Sequence, residues 1–453
     1  MLRTTRLLDV TLAIVLASLV AGCANVDPAA TAPTSYADAH GDGLEATDSS
    51  EDAVNPGADV GASTDAGVAI DTSAGSDVGD ATADAAPPPD PCLKTLKDDS
   101  WAVAVFAGQR HTCAVSVCGE SFCWGHNQFG EAGDGTKTPA YSPRLSSNVE
   151  PTTMAAGFFH TCGLVAGKAW CWGANTNGQL GAATLSTPSP VAVSGGHTFD
   201  HIASTDYSVC ASGSSGVYCW GWNNFYQLGQ GGSTPKSSNT PLKVLFDKQV
   251  IDLTGGSGHF CALTDAGEVW CWGLSNGGQL GQPVEGFKAK AAPVLVAGLS
   301  GVVAITAGGH HTCAALKDGT AVCWGLNNYG QLGNGSQKIS SKPVVVQGLS
   351  DVQSLSAALH LTCAIHGQGK LSCWGRNAEQ QLGKKFSNLS TKPLAVDGVT
   401  DAVSVATGDR HVCVVRGVGS VSCWGANEVG QVGNGKAKPT KEGFESPQQV
   451  GAP

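Results

Sequence analysis

The chain is poor in charge, methionine and tyrosine. Of its 453 residues 14% are Asp, Glu, Lys or Arg, two are Met and six are Tyr. Long helices draw on Ala, Leu, Glu and Lys in runs of helical period, so this composition, with 61 glycines, points instead to many short strands and turns. No apolar stretch has the character of a membrane span: Leu7 to Leu19 is short and carries Asp9. Serine-nucleophile elbows and Gly-Lys-Ser/Thr phosphate loops are absent. Residues 24–91 hold no Lys or Arg against 14 Asp and Glu. That segment, rich in Ala, Asp, Thr, Ser and Pro, lacks the apolar surface to offset its conformational entropy and reads as a solvated, extended tether. No Asp spacing in it matches a calcium loop.

With the tether set aside, residues 92–453 carry 24 basic and 22 acidic groups, a net charge of +2. A near-neutral body argues against a nucleic-acid binder. The chain opens as an export signal: Arg3 and Arg6, an apolar run, then small residues before a cysteine. Val20-Ala21-Gly22-Cys23 resembles a bacterial lipobox, which implies cleavage after residue 22 and lipid attachment at Cys23. The expected organisation is a signal peptide over 1–22, a tether over 23–91 and a folded body over 92–453. The expected location is the cell envelope, at an outer membrane or cell surface, held by the lipid alone.

A single phrase dominates the body. Cys-Trp-Gly begins at Cys123, Cys171, Cys219, Cys271, Cys323, Cys373 and Cys423, at intervals of 48, 48, 52, 52, 50 and 50 residues. Repetition at this period marks supersecondary units that do not fold singly. Each unit offers four strand-like pieces, in the fifth copy at 301–307, 311–316, 320–325 and 343–347, separated by Gly, Asn and Asp. Seven four-stranded antiparallel sheets set radially make an all-β, seven-bladed propeller. A Pro-led fourth piece follows every Cys-Trp-Gly, the last at Pro447, and none precedes Trp101. One expectation is therefore that the last strand completes the first blade; the other is that every blade closes from its own repeat.

The stretch Gly308 to Gly335, with His310-His311-Thr312-Cys313, Cys323-Trp324-Gly325 and Gly330-Gln331-Leu332-Gly333, resembles the regulator of chromosome condensation repeat. Gly-Gln-Leu-Gly is literal again from Gly178 and Gly278 and is altered from Gly430. The likeness covers about 102–453 and likewise implies seven blades.

Every Cys-Trp-Gly cysteine has an earlier partner: Cys113, Cys162, Cys210, Cys261, Cys313, Cys363 and Cys413. Five pairs are ten residues apart and two, at 162–171 and 210–219, are nine. Ten residues with direct cross-strand pairing leave a three-residue hairpin loop whose last position favours a left-handed residue. That position is glycine in all five: Gly119, Gly267, Gly319, Gly369 and Gly419. Each pair thus sits within disulfide reach, and export favours oxidation; the alternative is seven pairs of buried thiols. Cys92 and Cys118 remain, and an eighth bridge between them is expected.

His stands two residues before the first cysteine at His111, His160, His259, His311 and His411. That spacing puts His and Cys on one strand face. Because each cysteine has its own partner, a structural role is expected, and no metal, cofactor or catalytic set is assigned. The Trp of each Cys-Trp-Gly is expected to fill the wedge between blades. Thr264-Asp265-Ala266-Gly267 loosely resembles a sialidase Asp-box and reads as a hairpin turn.

The leading expectation is a non-enzymatic, monomeric docking protein with an envelope macromolecule, not nucleic acid, as partner. Loops after Cys-Trp-Gly carry aromatics of the interface-anchoring kind at Phe129, Phe225, Tyr226 and Tyr329. The family resemblance keeps three rivals open. One is inhibition of a secreted or envelope enzyme, as in a branch of such propellers that inhibits β-lactamases. The others are guanine-nucleotide exchange, the family's founding activity, which uses an inserted wedge that 48–52-residue repeats lack, and a secreted glycosidase.

Overall fold

Alternation of apolar and small residues, broken by Gly at each turn, builds one unit seven times. The computed structural model describes residues 100–147, 149–283, 288–385, 387–436 and 443–453. The signal, Cys23, the tether and Cys92 lie outside these residues. In the first blade β1 (Ala102–Ala107), β2 (His111–Ser116), β3 (Ser121–Gly125) and β4 (Ala140–Leu145) pair in order as an antiparallel sheet. Six more four-stranded sheets follow in the same order, giving a seven-bladed β-propeller. The fourth strand is the outer edge of each blade. A proline sits within each of these edge strands, from Pro143 to Pro447, where a missing N–H blunts an otherwise open edge.

Ring closure differs from the first expectation. The last strand, Phe444–Val450, pairs with Val421–Gly425 and completes the seventh blade, so no strand is lent to the first. The physical reason is that the seam between the last and first blades carries the bonds that join other neighbours. Trp124 Nε1 donates to the Gln431 carbonyl at 3.0 Å, and its six counterparts do the same to the preceding blade at 2.8–3.0 Å. All seven indoles are fully buried.

The histidines form a second set of seam bonds. His411 Nε2 meets Thr112 Oγ1 at 2.8 Å across the last seam. His111 meets Thr161 at 2.9 Å, His259 meets Thr312 at 3.0 Å and His311 meets Thr362 at 2.8 Å. His160 uses Ser204 Oγ instead, at 2.7 Å. Each Thr hydroxyl donates its one proton to the carbonyl that the Trp also uses, as Thr362 does to Gln331. The threonine oxygen therefore accepts, and the histidine is the neutral tautomer protonated at Nε2. Burial drives the pKa of all five from 6.5 to about 3. Two blades lack the histidine and carry Ser208 and Leu361 there; the next blade then presents Phe260 and Val412 in place of Thr. Donor and acceptor disappear together, which avoids an orphaned polar group.

The cysteines face each other as Cα partners in every blade, as in Cys313 opposite Cys323. The structure joins Cys113–Cys123, Cys162–Cys171, Cys210–Cys219, Cys261–Cys271, Cys313–Cys323, Cys363–Cys373 and Cys413–Cys423, with Cα separations of 4.0–4.1 Å. Cys118 is also disulfide-bonded. The five loop glycines have φ between +75° and +92°, the left-handed region that a three-residue hairpin loop requires. In the nine-residue class, Ala166 and Gly167 take φ of +47° and +75°, a type I′ pair.

Candidate docking face

Strand direction sorts the connections onto two faces. The turns after each first strand and the long loops after each third strand share one, called here the loop face. The hairpin turns and the links between blades share the other, the hairpin face. Both ends of the propeller chain lie on the hairpin face, because β1 starts there and the last outer strand finishes there.

The long loops are internally braced. Asn127 Oδ1 accepts from the N–H of Ala132 at 2.8 Å, while its amide donates to the Thr136 and Thr138 carbonyls. Glu131 Oε2 accepts from the N–H of Phe129 at 2.9 Å. Asn327 and Gln331 repeat these bonds to Leu332 and Tyr329 in the fifth blade. The Asn…Gly-Gln-Leu-Gly phrase thus fixes a rigid loop, and its exposed side chains need little ordering on contact.

Near the axis the turns are linked to one another. The N–H of Phe158 donates to the Asp206 carbonyl, and that of Asp409 to the Gln109 carbonyl, both at 3.2 Å. Gln109 Nε2 reaches Asp206 Oδ1 at 3.2 Å. A cavity of about 170 Å³ opens beside them, lined by Arg110, Phe158, Arg410 and Glu428 among others.

Through Phe158, which lines that cavity, the rings form an arc over three consecutive blades. Phe129 packs on Phe159 with centroids 4.7 Å apart, Phe159 on Phe158 at 3.8 Å, and Phe158 on Tyr207 at 5.8 Å. Tyr207 then meets Trp222 at 5.9 Å, and Trp222 meets Phe225 at 5.0 Å. Tyr207 is buried; the other five are half-buried. Phe129 and Phe225, expected from sequence as interface anchors, therefore both belong to this arc. Tyr226 has φ of +64° and replaces the glycine that opens Gly-Gln-Leu-Gly in other blades. Tyr329 lies apart, stacked on His360 at 4.5 Å with the Arg376 guanidinium 5.8 Å from its ring.

Charge divides by face. Each carboxylate in the described loop-face connections has a partner. Glu131 pairs with His126 at 2.6 Å, Asp134 with Arg144 at 3.0 Å, Glu379 with Arg376 at 3.1 Å and Glu428 with Arg110 at 3.4 Å. Asp409 lies 3.6 Å from Arg410, and Asp206 takes the Gln109 amide. Partial burial pushes the Asp134 carboxyl up, but two bonds from Thr136 and then Arg144 hold it below its usual range. Every exposed charge in these described connections is a lysine: Lys137, Lys236, Lys338, Lys385 and Lys436. The hairpin-face connections expose seven carboxylates (Glu150, Asp200, Asp247, Asp265, Asp318, Asp351, Asp397) and two lysines, Lys248 and Lys317, and three more exposed lysines, Lys168, Lys243 and Lys370, stand at the strand ends that border them.

A family model described as the RCC1-like domain matches residues 148–452. The chain belongs to that family. A second model, the regulator of chromosome condensation (RCC1) repeat, matches residues 102–131 of this RCC1-like propeller. Protein pim1 of Schizosaccharomyces pombe is 41% identical over 91 residues, 19% of this chain and 17% of that protein. Guanine nucleotide exchange factor SRM1 of Saccharomyces cerevisiae is 39% identical over 101 residues, 22% of this chain and 21% of that protein. Probable E3 ubiquitin-protein ligase HERC4 of Rattus norvegicus is 38% identical over 94 residues, 20% of this chain and only 9% of that protein. Each of these matches spans about a fifth or less of the relative's length.

Among solved structures, Prp20p of Saccharomyces cerevisiae, described with its binding to Gsp1p and histones, superposes with a TM-score of 0.64 at 28% identity. The match covers 73% of this RCC1-like propeller's chain and 85% of Prp20p. The same yeast protein bound to Kap60 gives 0.65 at 27% identity, covering 79% and 86%.

Four arc residues, Phe158, Phe159, Tyr207 and Trp222, were not singled out in the sequence. Aligning the seven copies shows their signal: Phe158-Phe159 is the one first-strand turn in the RCC1-like array that carries two aromatic residues.

Proposed function

We propose that this propeller is a non-enzymatic docking protein of the cell envelope, which holds a macromolecular partner on its loop face. The observation that carries the reading is the half-buried aromatic arc from Phe129 to Phe225, set on braced loops. Aromatic side chains that stay partly open on a rigid frame are the usual anchors of protein contacts. Family membership agrees, since Prp20p is described with Gsp1p, histones and Kap60 as partners. SRM1 is named as an exchange factor and HERC4 as a probable ligase. The 48–52-residue repeats hold no long insertion of the kind exchange would use, and the HERC4 match spans only 9% of that protein, so neither activity is carried over to this chain.

Export and lipid attachment rest on the basic start, the apolar run and Cys23. Metabolic labelling with a fatty acid should tag the protein and lose the tag in Cys23→Ser. Crosslinking on intact cells, read by mass spectrometry, should join the propeller to an envelope macromolecule. A propeller that crosslinks to nothing on the cells would remove the docking reading.

A further inference from the structure

The near-neutral body hides a polar disk. Five exposed lysines, from five different blades, ring the loop face, where all described loop carboxylates are tied to a cation or an amide. The hairpin face exposes carboxylates such as Asp265, Asp318 and Asp351, while Asp397 there is paired with Lys384 at 2.9 Å. Inside the lysine ring lies the aromatic arc. We propose that the loop face docks an acidic protein surface, one whose carboxylates meet the lysine rim while apolar side chains cover the arc. This deepens the docking reading and rests on it.

Two observations select a protein over a polyanion. The first is the layout, an aromatic centre within a rim of exposed charge, which is the anatomy of a protein interface. The second is the wide dispersal of the lysines over Lys137, Lys236, Lys338, Lys385 and Lys436, with the two axial arginines, Arg110 and Arg410, engaged to Glu428 and Asp409. A nucleic-acid or polyphosphate track needs contiguous, unengaged cations. Like-charge repulsion on the hairpin face sets the orientation of approach, since an acidic partner is steered away from it.

The test uses the full chain and defined probes: short peptides alternating Asp or Glu with Phe or Leu, matched peptides with Ser for the apolar residues, and single-stranded DNA. Binding is read by fluorescence anisotropy and the face by lysine acetylation footprints. The acidic–apolar peptide should bind and protect Lys137, Lys338 and Lys436 but not Lys317 or Lys248. Its affinity should fall about tenfold when salt rises from about 0.05 to about 0.3 M. Lys137→Glu, Lys236→Glu and Lys338→Glu together should weaken it at least about tenfold, and Phe129→Ser with Phe225→Ser should weaken it comparably. Asp318→Lys with Asp351→Lys should leave it unchanged. Three results would overturn the proposal: no binding of this peptide, protection of Lys317 and Lys248 instead, or equal binding of DNA and Ser peptides indifferent to the Phe substitutions. In each case the cell crosslinking above still decides separately whether the propeller docks a macromolecule at all.

Discussion

Acid should loosen this ring, and the histidine seams set by how much. His111, His160, His259, His311 and His411 titrate at about 3 in the fold and at 6.5 when exposed. Because the folded value is the lower one, the unfolded chain takes up protons that the folded chain refuses. Stability is therefore complete above pH 6.5 and drains as the pH falls toward 3. At about pH 5 each site weighs about 2 kcal/mol against folding, and five together about 10 kcal/mol, comparable with the whole stability of an ordinary domain. The local slope is about 7 kcal/mol per pH unit.

Guanidinium unfolding with the disulfides intact, followed by Trp fluorescence from about pH 7 to about pH 5, should show the midpoint falling steeply. The sixth and seventh blades supply the control, since Leu361 and Val412 stand where His and Thr stand elsewhere. His311→Leu with Thr362→Val copies that pair and should lower the slope by about 1.4 kcal/mol per pH unit. Thr362→Val alone strands the buried His311 Nε2–H and should destabilise by about 1–3 kcal/mol. A midpoint that does not move with pH, or a single Thr362→Val variant as stable as the double, would refute the argument.

Other consequences are as specific. Under native conditions alkylating reagents should leave the fourteen blade cysteines unlabelled, and Cys313→Ala with Cys323→Ala should destabilise by about 3 kcal/mol in denaturant titration. Trp324→Phe keeps the ring but loses the bond to Gln279, so it should destabilise by about 1–2 kcal/mol in the same assay. Asp252 is buried, accepts from the N–H of Leu253 and of Ile305 in the next blade, and is pushed up to about 8 by burial. Its folded value is the raised one, so it works against stability increasingly from pH 3.8 to about 8. Asp252→Ser, which copies Ser404 and its bond from the Val105 N–H, should leave an unfolding midpoint that no longer drops on that alkaline side.

Much of this architecture is written in local spacing. A ten-residue cysteine separation with glycine six residues after the first cysteine admits essentially one hairpin, and five such units with two of the nine-residue class admit few arrangements, so the blades are legible in the sequence. Closure is not. Pro447 yields only a count of strands, whereas the first and seventh blades meet through Trp124, Thr112 and His411, pairings between residues about 300 apart. The aromatic arc of the loop face is half legible for the same reason. Phe129 and Phe225 follow a conspicuous phrase, but Phe158 and Tyr207 join them only when three blades stand side by side, and summed charge conceals that lysine and carboxylate part company across the disk.

Because each of the seven bridges begins and ends inside one blade, and no strand is borrowed across the final junction, the wheel has no privileged starting point. A gene rearranged to begin at any link between blades, for instance within 296–301, still encodes seven whole spokes and an unbroken rim. Where the polypeptide starts is thus a question of attachment, and the wheel's integrity is indifferent to it.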